Sequence, residues 1–278
     1  MSDDSLRTAL VELVRAADGA GIRLFLGGGY GLYLKQLHLL TAHQRTLLPV
    51  EAWPRPRGTP DLDIFLPTEI VVDLSHMVRF RGILDGLDYK PIETARFMHF
   101  QKAVPQGHVR VELLTGPIDR TQHRVQIKGP RVRPRGDVEL HAYLTEEAVA
   151  LEVEPLVVRL ADGTSVLIPN AFSFLVMKLH ACRDRIDDDN KQLGRHHALD
   201  VYRILAMLTE QEDELARTLR RAHQDVRSVR QAAEIVVELF GDATSRGVLR
   251  MREHALASAD MQVERALELL RDLMLGAS

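Results

Sequence analysis

Apolar residues recur at helical spacing through residues 5–17, at Leu6, Leu10, Leu13 and Val14, and Gly19 and Gly21 end the run. Residues 22–26 form a short apolar stretch fit for a buried strand. Gly27, Gly28 and Gly29 follow at once, and Leu32, Leu34 and Leu37 then predict a second helix. After a linker carrying Pro49, Pro54, Pro56 and Pro60, residues 62–66 read as a strand that Asp61 enters at its start. The spacing predicts a helix over 68–84 and a meander over 89–93, 96–104 and 108–114, with a tight turn at Pro105, Gln106 and Gly107. A further strand is expected over 125–132. A hairpin is expected to pair 157–160 with 165–168 across Asp162 and Gly163.

Beyond Pro169 the period changes to helical almost without interruption, over 170–185, 195–208, 212–223, 226–240, 246–256 and 261–275. The order predicts an α+β protein: a mixed sheet with flanking helices in a domain over residues 1–169, then a C-terminal helical bundle over 170–278.

Composition narrows the class. With 278 residues, 45% hydrophobic and 27% charged, the chain can bury the core of one or two domains. No apolar run approaches the roughly 20 residues that span a bilayer. The start, Met1-Ser2-Asp3-Asp4-Ser5, is acidic rather than signal-like, so a cytoplasmic protein without a membrane partner is expected. The single cysteine, Cys182, excludes an internal disulfide and a multi-cysteine zinc site. A net charge of −3 argues against nucleic-acid binding by bulk charge. A local basic cluster, Arg120, His123, Arg124, Lys128, Arg131, Arg133 and Arg135, is either a solvated strand pair or a phosphate-tracking surface.

The candidate chemistry lies in the carboxylates. Side chains two apart on a strand point the same way, so Asp61 and Asp63 make a two-carboxylate clamp suited to magnesium, which takes oxygen ligands and keeps several waters. In the segment 108–114, Val109, Val111 and Leu113 take one face and Arg110 and Glu112 the other, so Glu112 can supply a third carboxylate from an adjacent strand. An isolated Asp-Leu-Asp is also what a solvated strand end looks like. Gly28 and Gly29 add weight, because glycines between a strand and a helix allow close backbone approach to a phosphate at the helix N-terminus. The run fits neither a GxGxxG fingerprint nor a Walker A loop.

Leu26-Gly27-Gly28-Gly29-Tyr30-Gly31-Leu32 followed by Arg57-Gly58-Thr59-Pro60-Asp61-Leu62-Asp63-Ile64 resembles the two signatures of the DNA polymerase β-like nucleotidyltransferases. Lys178-Leu179-His180-Ala181-Cys182-Arg183 and Leu199-Asp200-Val201-Tyr202 resemble segments of the AbiEii/AbiGii toxin branch of that superfamily. The matches cover residues 22–205 in order; the remaining chain is similar only in being helical. The resemblance implies a palm-like sheet and transfer of a nucleoside monophosphate from an NTP, with two magnesium ions on Asp61, Asp63 and Glu112. It further implies that Gly28, Gly29 and Tyr30 meet the triphosphate, Tyr30 standing where Thr or Ser is usual. Arg57 and Thr59 would brace the loop or touch phosphate, Lys178 would neutralise phosphate charge, and Asp200 would support it or help hold the nucleotide. It implies an RNA acceptor at the tRNA 3′ end and a cognate antitoxin. A small-molecule antibiotic acceptor, a protein hydroxyl acceptor and a catalytically silent binding module stand beside that reading.

Other features read as surface. His196 and His197 are adjacent and diverge on a helix, Asp187-Asp188-Asp189 lacks the glycine and glutamate of a calcium loop, and Arg217, Arg220 and Arg221 mark a charged helix face. Trp53, among prolines, is a candidate for stacking on a base.

Overall fold

Strand pairing brings together segments far apart in sequence. The computed structural model describes residues 3–56, 59, 61–188 and 190–276. The chain forms two compact units, the first made of Met1–Gly31, Gly58–Glu146 and Pro155–Pro169, the second of Leu32–Arg57, Glu147–Glu154 and Asn170–Ser278. The border at 169/170 is therefore one of several, because 32–57 and 147–154 group with the helices.

The first unit contains helix α1 (Asp3–Gly19) and strand β1 (Phe25–Leu26), then the start of α2 (Gly28–Thr41). Strand β2 (Asp61–Phe65) is followed by α3 (Thr68–Val72), α4 (Leu74–Gly86), β3 (Lys90–Pro91), β4 (His99–Val104) and β5 (Gly107–Thr115). The remaining strands are β6 (Val125–Lys128), β7 (Arg131–Pro134), β8 (Ala142–Leu144), β9 (Leu156–Arg159) and β10 (Ser165–Ile168). They form one mixed sheet in the order β6-β7-β8-β5-β2-β1-β10-β9, with β4 paired to β5 and to β3. The pairs β1/β10, β2/β5 and β5/β8 are parallel and the others antiparallel.

Alternation along β2 and β5 decides which face is covered. Leu62, Ile64, Val109, Val111 and Leu113 are buried, and Phe100 of β4 joins them. Helix α1 packs its buried Leu6, Leu10 and Leu13 against this side, meeting α4 and β5. Two ion pairs fasten it, Lys102 to Glu12 at 2.5 Å and Arg15 to Asp162 at 2.8 Å.

Two expectations change. The helix over 68–84 is two helices, because Asp73 is extended and its carboxylate accepts from the N–H of His76 at 2.9 Å, starting α4 afresh. The strand over 125–132 is a hairpin: Gly129, at φ 59°, and Pro130 turn the chain so that Lys128 faces Arg131.

The second unit contains α5 (Ala171–Arg185), α6 (Lys191–Ala206), α7 (Glu210–Ala222), α8 (Arg227–Phe240), α9 (Arg246–Arg252) and α10 (Val263–Leu275). Helix α5 is its centre. It meets α6, α7 and α8, and its Phe172, Phe174, Leu175, Val176, Leu179 and Cys182 are buried on several sides, which explains its weak amphipathic pattern. Helix α7 starts on a capping box between Thr209 and Glu212. The segment 32–57 is held to the bundle by the Tyr202 hydroxyl donating to the Ala52 carbonyl at 2.9 Å and by the Leu47 N–H donating to Leu208 at 2.8 Å. Trp53 is 7% exposed there, so it packs inward and presents no platform for a base. Among the described residues no helix is long and apolar enough to cross a membrane.

Asn170 joins 147–154 to this unit. Its side-chain oxygen caps α5 by accepting from the Ser173 N–H at 2.9 Å, while its amide donates to the carbonyls of Ala150 and Val153, both at 2.8 Å. Asn170→Ala removes a cap and the side-chain donor to the Val153 carbonyl, while the Ala150 carbonyl keeps the Val153 N–H at 3.1 Å, so chemical denaturation is expected to show a loss of about 2–3 kcal/mol. A loss below about 1 kcal/mol would mean that the 147–154 segment is held by other contacts.

Candidate active site

The parallel pairing of β2 with β5 sets Asp61 opposite Arg110 and Asp63 opposite Glu112. On the other side of β5, the antiparallel pairing with β4 sets His99 opposite Glu112 and Gln101 opposite Arg110. Residues directly paired across strands share a face, so Asp61, Asp63, Glu112, His99, Gln101 and Arg110 occupy the face opposite the apolar one. The sequence marks the three carboxylates and omits His99, Gln101 and the proximity of Arg110 to Asp61. Only register reveals those.

Gly27 and Gly28 approach this face through β1. Leu26 pairs with Ile64, and the Gly27 N–H donates to the Asp63 carbonyl at 2.8 Å. Gly28, at φ +60°, begins α2, and a Cβ there would fall inside the Asp63 Oδ2 atom. A Cβ on Gly27 would stand 2.5 Å from the Phe65 ring. The turn is thus glycine because β2 side chains fill the space beside it. The first N–H groups of a helix have no acceptor within the helix, so α2 opens with donors and a positive dipole end close to the Asp63 carboxylate.

The carboxylates differ in surroundings. Burial pushes the Asp61 pKa above the usual carboxylate range, and the charges of Arg110 and His99 only partly offset it. One of its oxygens, Oδ1, is buried with no hydrogen-bond partner, while the Asp61 N–H reaches Thr59 Oγ1 at 3.4 Å. Glu112 Oε1 lies 3.2 Å from His99 Nε2. Among the described residues no three His, Cys, Asp or Glu side chains are gathered as a bound ion requires. Register puts the three acids on one face; Asp63 leans over Gly28 and Glu112 meets His99. The donor type still fits a hard divalent cation, because Asp61 and Asp63 share a strand face and one carries a buried oxygen lacking a partner.

Of the other sequence-predicted residues, Tyr30 is buried in the first turn of α2, and Arg57 lies outside the described residues. In the second unit Lys178 and Asp200 come together, Nζ to Oδ2 at 2.9 Å, with Asp200 1% exposed. Breaking such a buried pair by removing one partner costs about 3–5 kcal/mol. Cys182 takes no part, since burial pushes its thiol up to about 12.

The remaining features resolve into packing. Burial, helped by the charges of Arg133 and Arg131 of the basic hairpin, pushes the pKa of His141 down to about 4, and that neutral ring stacks on Phe97 at 4.5 Å. His196 is not simply a surface residue, because its Nδ1 lies 2.7 Å from His254 Nε2. His254 Nδ1 accepts the Leu256 N–H at 3.0 Å, so Nε2 carries the proton shared with His196. Asp187 pairs with Arg246 and Asp188 with Arg185, the latter at 2.9 Å, while Asp189 lies outside the described residues. Arg217 pairs with Asp213 at 2.8 Å, and Arg220 donates to the Met274 carbonyl at 3.1 Å.

No protein-family model matches the chain, and no curated protein matches it. Among solved structures it is similar to a solution structure of the antibiotic-resistance factor ANT(2'')-Ia, with 15% identity, TM-score 0.39, and coverage of 84% of this chain and 96% of that one. It is also similar to a crystal structure of ANT(2")-Ia in complex with adenylyl-2"-tobramycin, with 13% identity, TM-score 0.35, and coverage of 78% of this chain and 96% of that one.

Two outcomes test this geometry. Because the folded pKa of Asp61 is raised, its contribution favours the fold below the ordinary carboxylate pKa of about 3.9 and is lost as pH rises through the folded value. Asp61→Asn should therefore melt higher than the parent protein at pH 7, and the gap should close as pH falls below about 4; a lower melting temperature at pH 7 would contradict the reading. Gly28→Ala should destabilise by about 1–3 kcal/mol or more through strain and overlap, whereas Gly19→Ala, where a Cβ meets nothing within 4 Å, should be neutral or better.

Proposed function

We propose that this protein is a divalent-metal-dependent nucleotidyltransferase that moves a nucleoside monophosphate from an NTP to an acceptor hydroxyl, releasing pyrophosphate and the hydroxyl proton. One observation carries the reading: a glycine turn opening a helix is pressed against Asp63 while Asp61, on the same strand face, holds a buried oxygen without a hydrogen-bond partner. Phosphoryl-type transfer asks the protein for positioning and charge neutralisation more than for covalent chemistry, and these residues are of that kind.

In this reading Gly28, Gly29 and Tyr30 bind the triphosphate through the start of α2. Asp61, Asp63 and Glu112 hold magnesium, which when bound supplies charge neutralisation for the phosphates and acidifies the acceptor hydroxyl. Thr59 and Arg57 brace the approach to Asp61. Lys178, ion-paired with Asp200, neutralises phosphate charge. Arg110 and His99 hold down the charge of the carboxylate face until the substrate arrives.

The test is incubation of the purified protein with each of the four NTPs, labelled at the α-phosphate, and magnesium, in parallel with total RNA and with a panel of aminoglycosides and lincosamides. Label should move to one acceptor and fall to background in Asp61→Ala/Asp63→Ala. Label on a tRNA-sized band identifies RNA as acceptor, label on a small molecule identifies an antibiotic-type acceptor, and label on the protein identifies a hydroxyl of the chain itself. Absence of label from every fraction would overturn the proposal.

A further inference from the structure

Asp200 divides its carboxylate between two cations. Oδ2 meets Lys178 Nζ at 2.9 Å, and Oδ1 meets an NH1 of Arg203 at 3.2 Å. Arg203, itself 1% exposed, donates from NH2 to Gln36 Oε1 at 3.2 Å. Gln36, 5% exposed, donates from Nε2 to the Pro54 carbonyl at 3.3 Å. All five residues belong to the second unit. Of these five residues, the resemblance marks only Lys178 and Asp200.

We propose that Arg203 and Gln36 are positioning residues for nucleotide binding, acting through Asp200 on Lys178. The inference rests on the reading above, in which Lys178 meets phosphate. Chemistry fixes every link in the relay. A carbonyl can only accept and a guanidinium can only donate, so the Gln36 amide is held from both ends and its orientation is determined. Arg203 is thereby held by two different acceptors on its two terminal nitrogens. A buried carboxylate tends to take up a proton and a buried ammonium to lose one. Arg203 carries a fixed positive charge, and its fork holds one oxygen of Asp200 while the other oxygen holds the Lys178 ammonium at 2.9 Å. The planar guanidinium also sets the rotation of the Asp200 carboxylate, which aims Oδ2 and with it the end of the flexible lysine.

Gln36 lies outside every motif in the sequence and has no charge, so it is the sensitive place to test the relay. Binding of ATP, GTP, CTP and UTP with magnesium is measured calorimetrically on the full chain, without any need for turnover. The variants are Gln36→Leu, Arg203→Lys, Lys178→Ala and the double variant Gln36→Leu/Lys178→Ala, each first shown to be folded by its thermal transition. Gln36→Leu should weaken the nucleotide that the parent protein binds by roughly tenfold, the scale of a charge-assisted hydrogen bond. Arg203→Lys, which keeps the charge but not the fork, should fall between Gln36→Leu and the parent protein. In the Lys178→Ala background Gln36→Leu should have no further effect, because its influence passes through that lysine. A merely structural role would leave its effect intact in that background, and this outcome would overturn the proposal. So would unchanged affinity in Gln36→Leu, or in Lys178→Ala. No binding of any NTP by the parent protein would remove the functional reading itself and the inference with it.

Discussion

Everything at the candidate site depends on a missing side chain. Leu26 pairs with Ile64, so the chain leaving β1 passes directly over the β2 residues Asp63 and Phe65, which share one face. Any Cβ on Gly28 would overlap Asp63 Oδ2, and one on Gly27 would press into the Phe65 ring. Glycine at 28 is doubly required, since its φ of +60° also disfavours other residues. The same closeness gives the turn its chemical use: peptide N–H groups at the head of α2 and the acids of β2 are delivered to one place by backbone geometry, before any ligand contributes.

That closeness has an electrostatic consequence. Half-buried acids on one face are costly to ionise, and the raised pKa of Asp61 expresses it. Arg110 sits opposite Asp61 and His99 opposite Glu112, and their charges lessen the cost of burying an ionised Asp61 without abolishing it. A cation on the acids would complete what these neighbours leave unfinished, because an ion supplies at short range the positive charge that burial denies. The carboxylate face is therefore less stable with its acids ionised than it could be, as sites arranged for binding commonly are.

Much of this was legible in the amino-acid order, and the reasons are local. Strict alternation in 61–64 and 109–113 announces strands with one polar face, and period 2 alone places Asp61 with Asp63 and Arg110 with Glu112. Whether those pairs stand side by side is a question of register between strands, which no local pattern states. For that reason His99 and Gln101, on a strand that pairs with β5 from its other edge, went unmarked. The break at Asp73 and the turn at Gly129 and Pro130 had readable signals, a capping acid and a turn pair, but both lay inside longer apolar periodicities that overrode them. Trp53 misleads for a different reason: prolines suggest an exposed loop, whereas the segment 32–57 is pinned by Tyr202 and Leu208, far away in sequence.

The two acidic sites of the chain solve opposite problems. Asp200 is almost wholly enclosed, and isolated burial would drive it to take up a proton; two cations, one of them an arginine that does not titrate, supply the compensation within the fold. Asp61 is less enclosed, yet burial raises its pKa and the charges of Arg110 and His99 offset that only in part; one of its oxygens has no hydrogen-bond partner. If both sites were purely structural, the deeper carboxylate should be the harder one to satisfy and the shallower one should find solvent or a donor. The reverse pattern holds. A carboxylate that could have been satisfied cheaply and is not, next to a glycine turn that leaves room for nothing but backbone, is better explained by an external cation and phosphate than by folding stability.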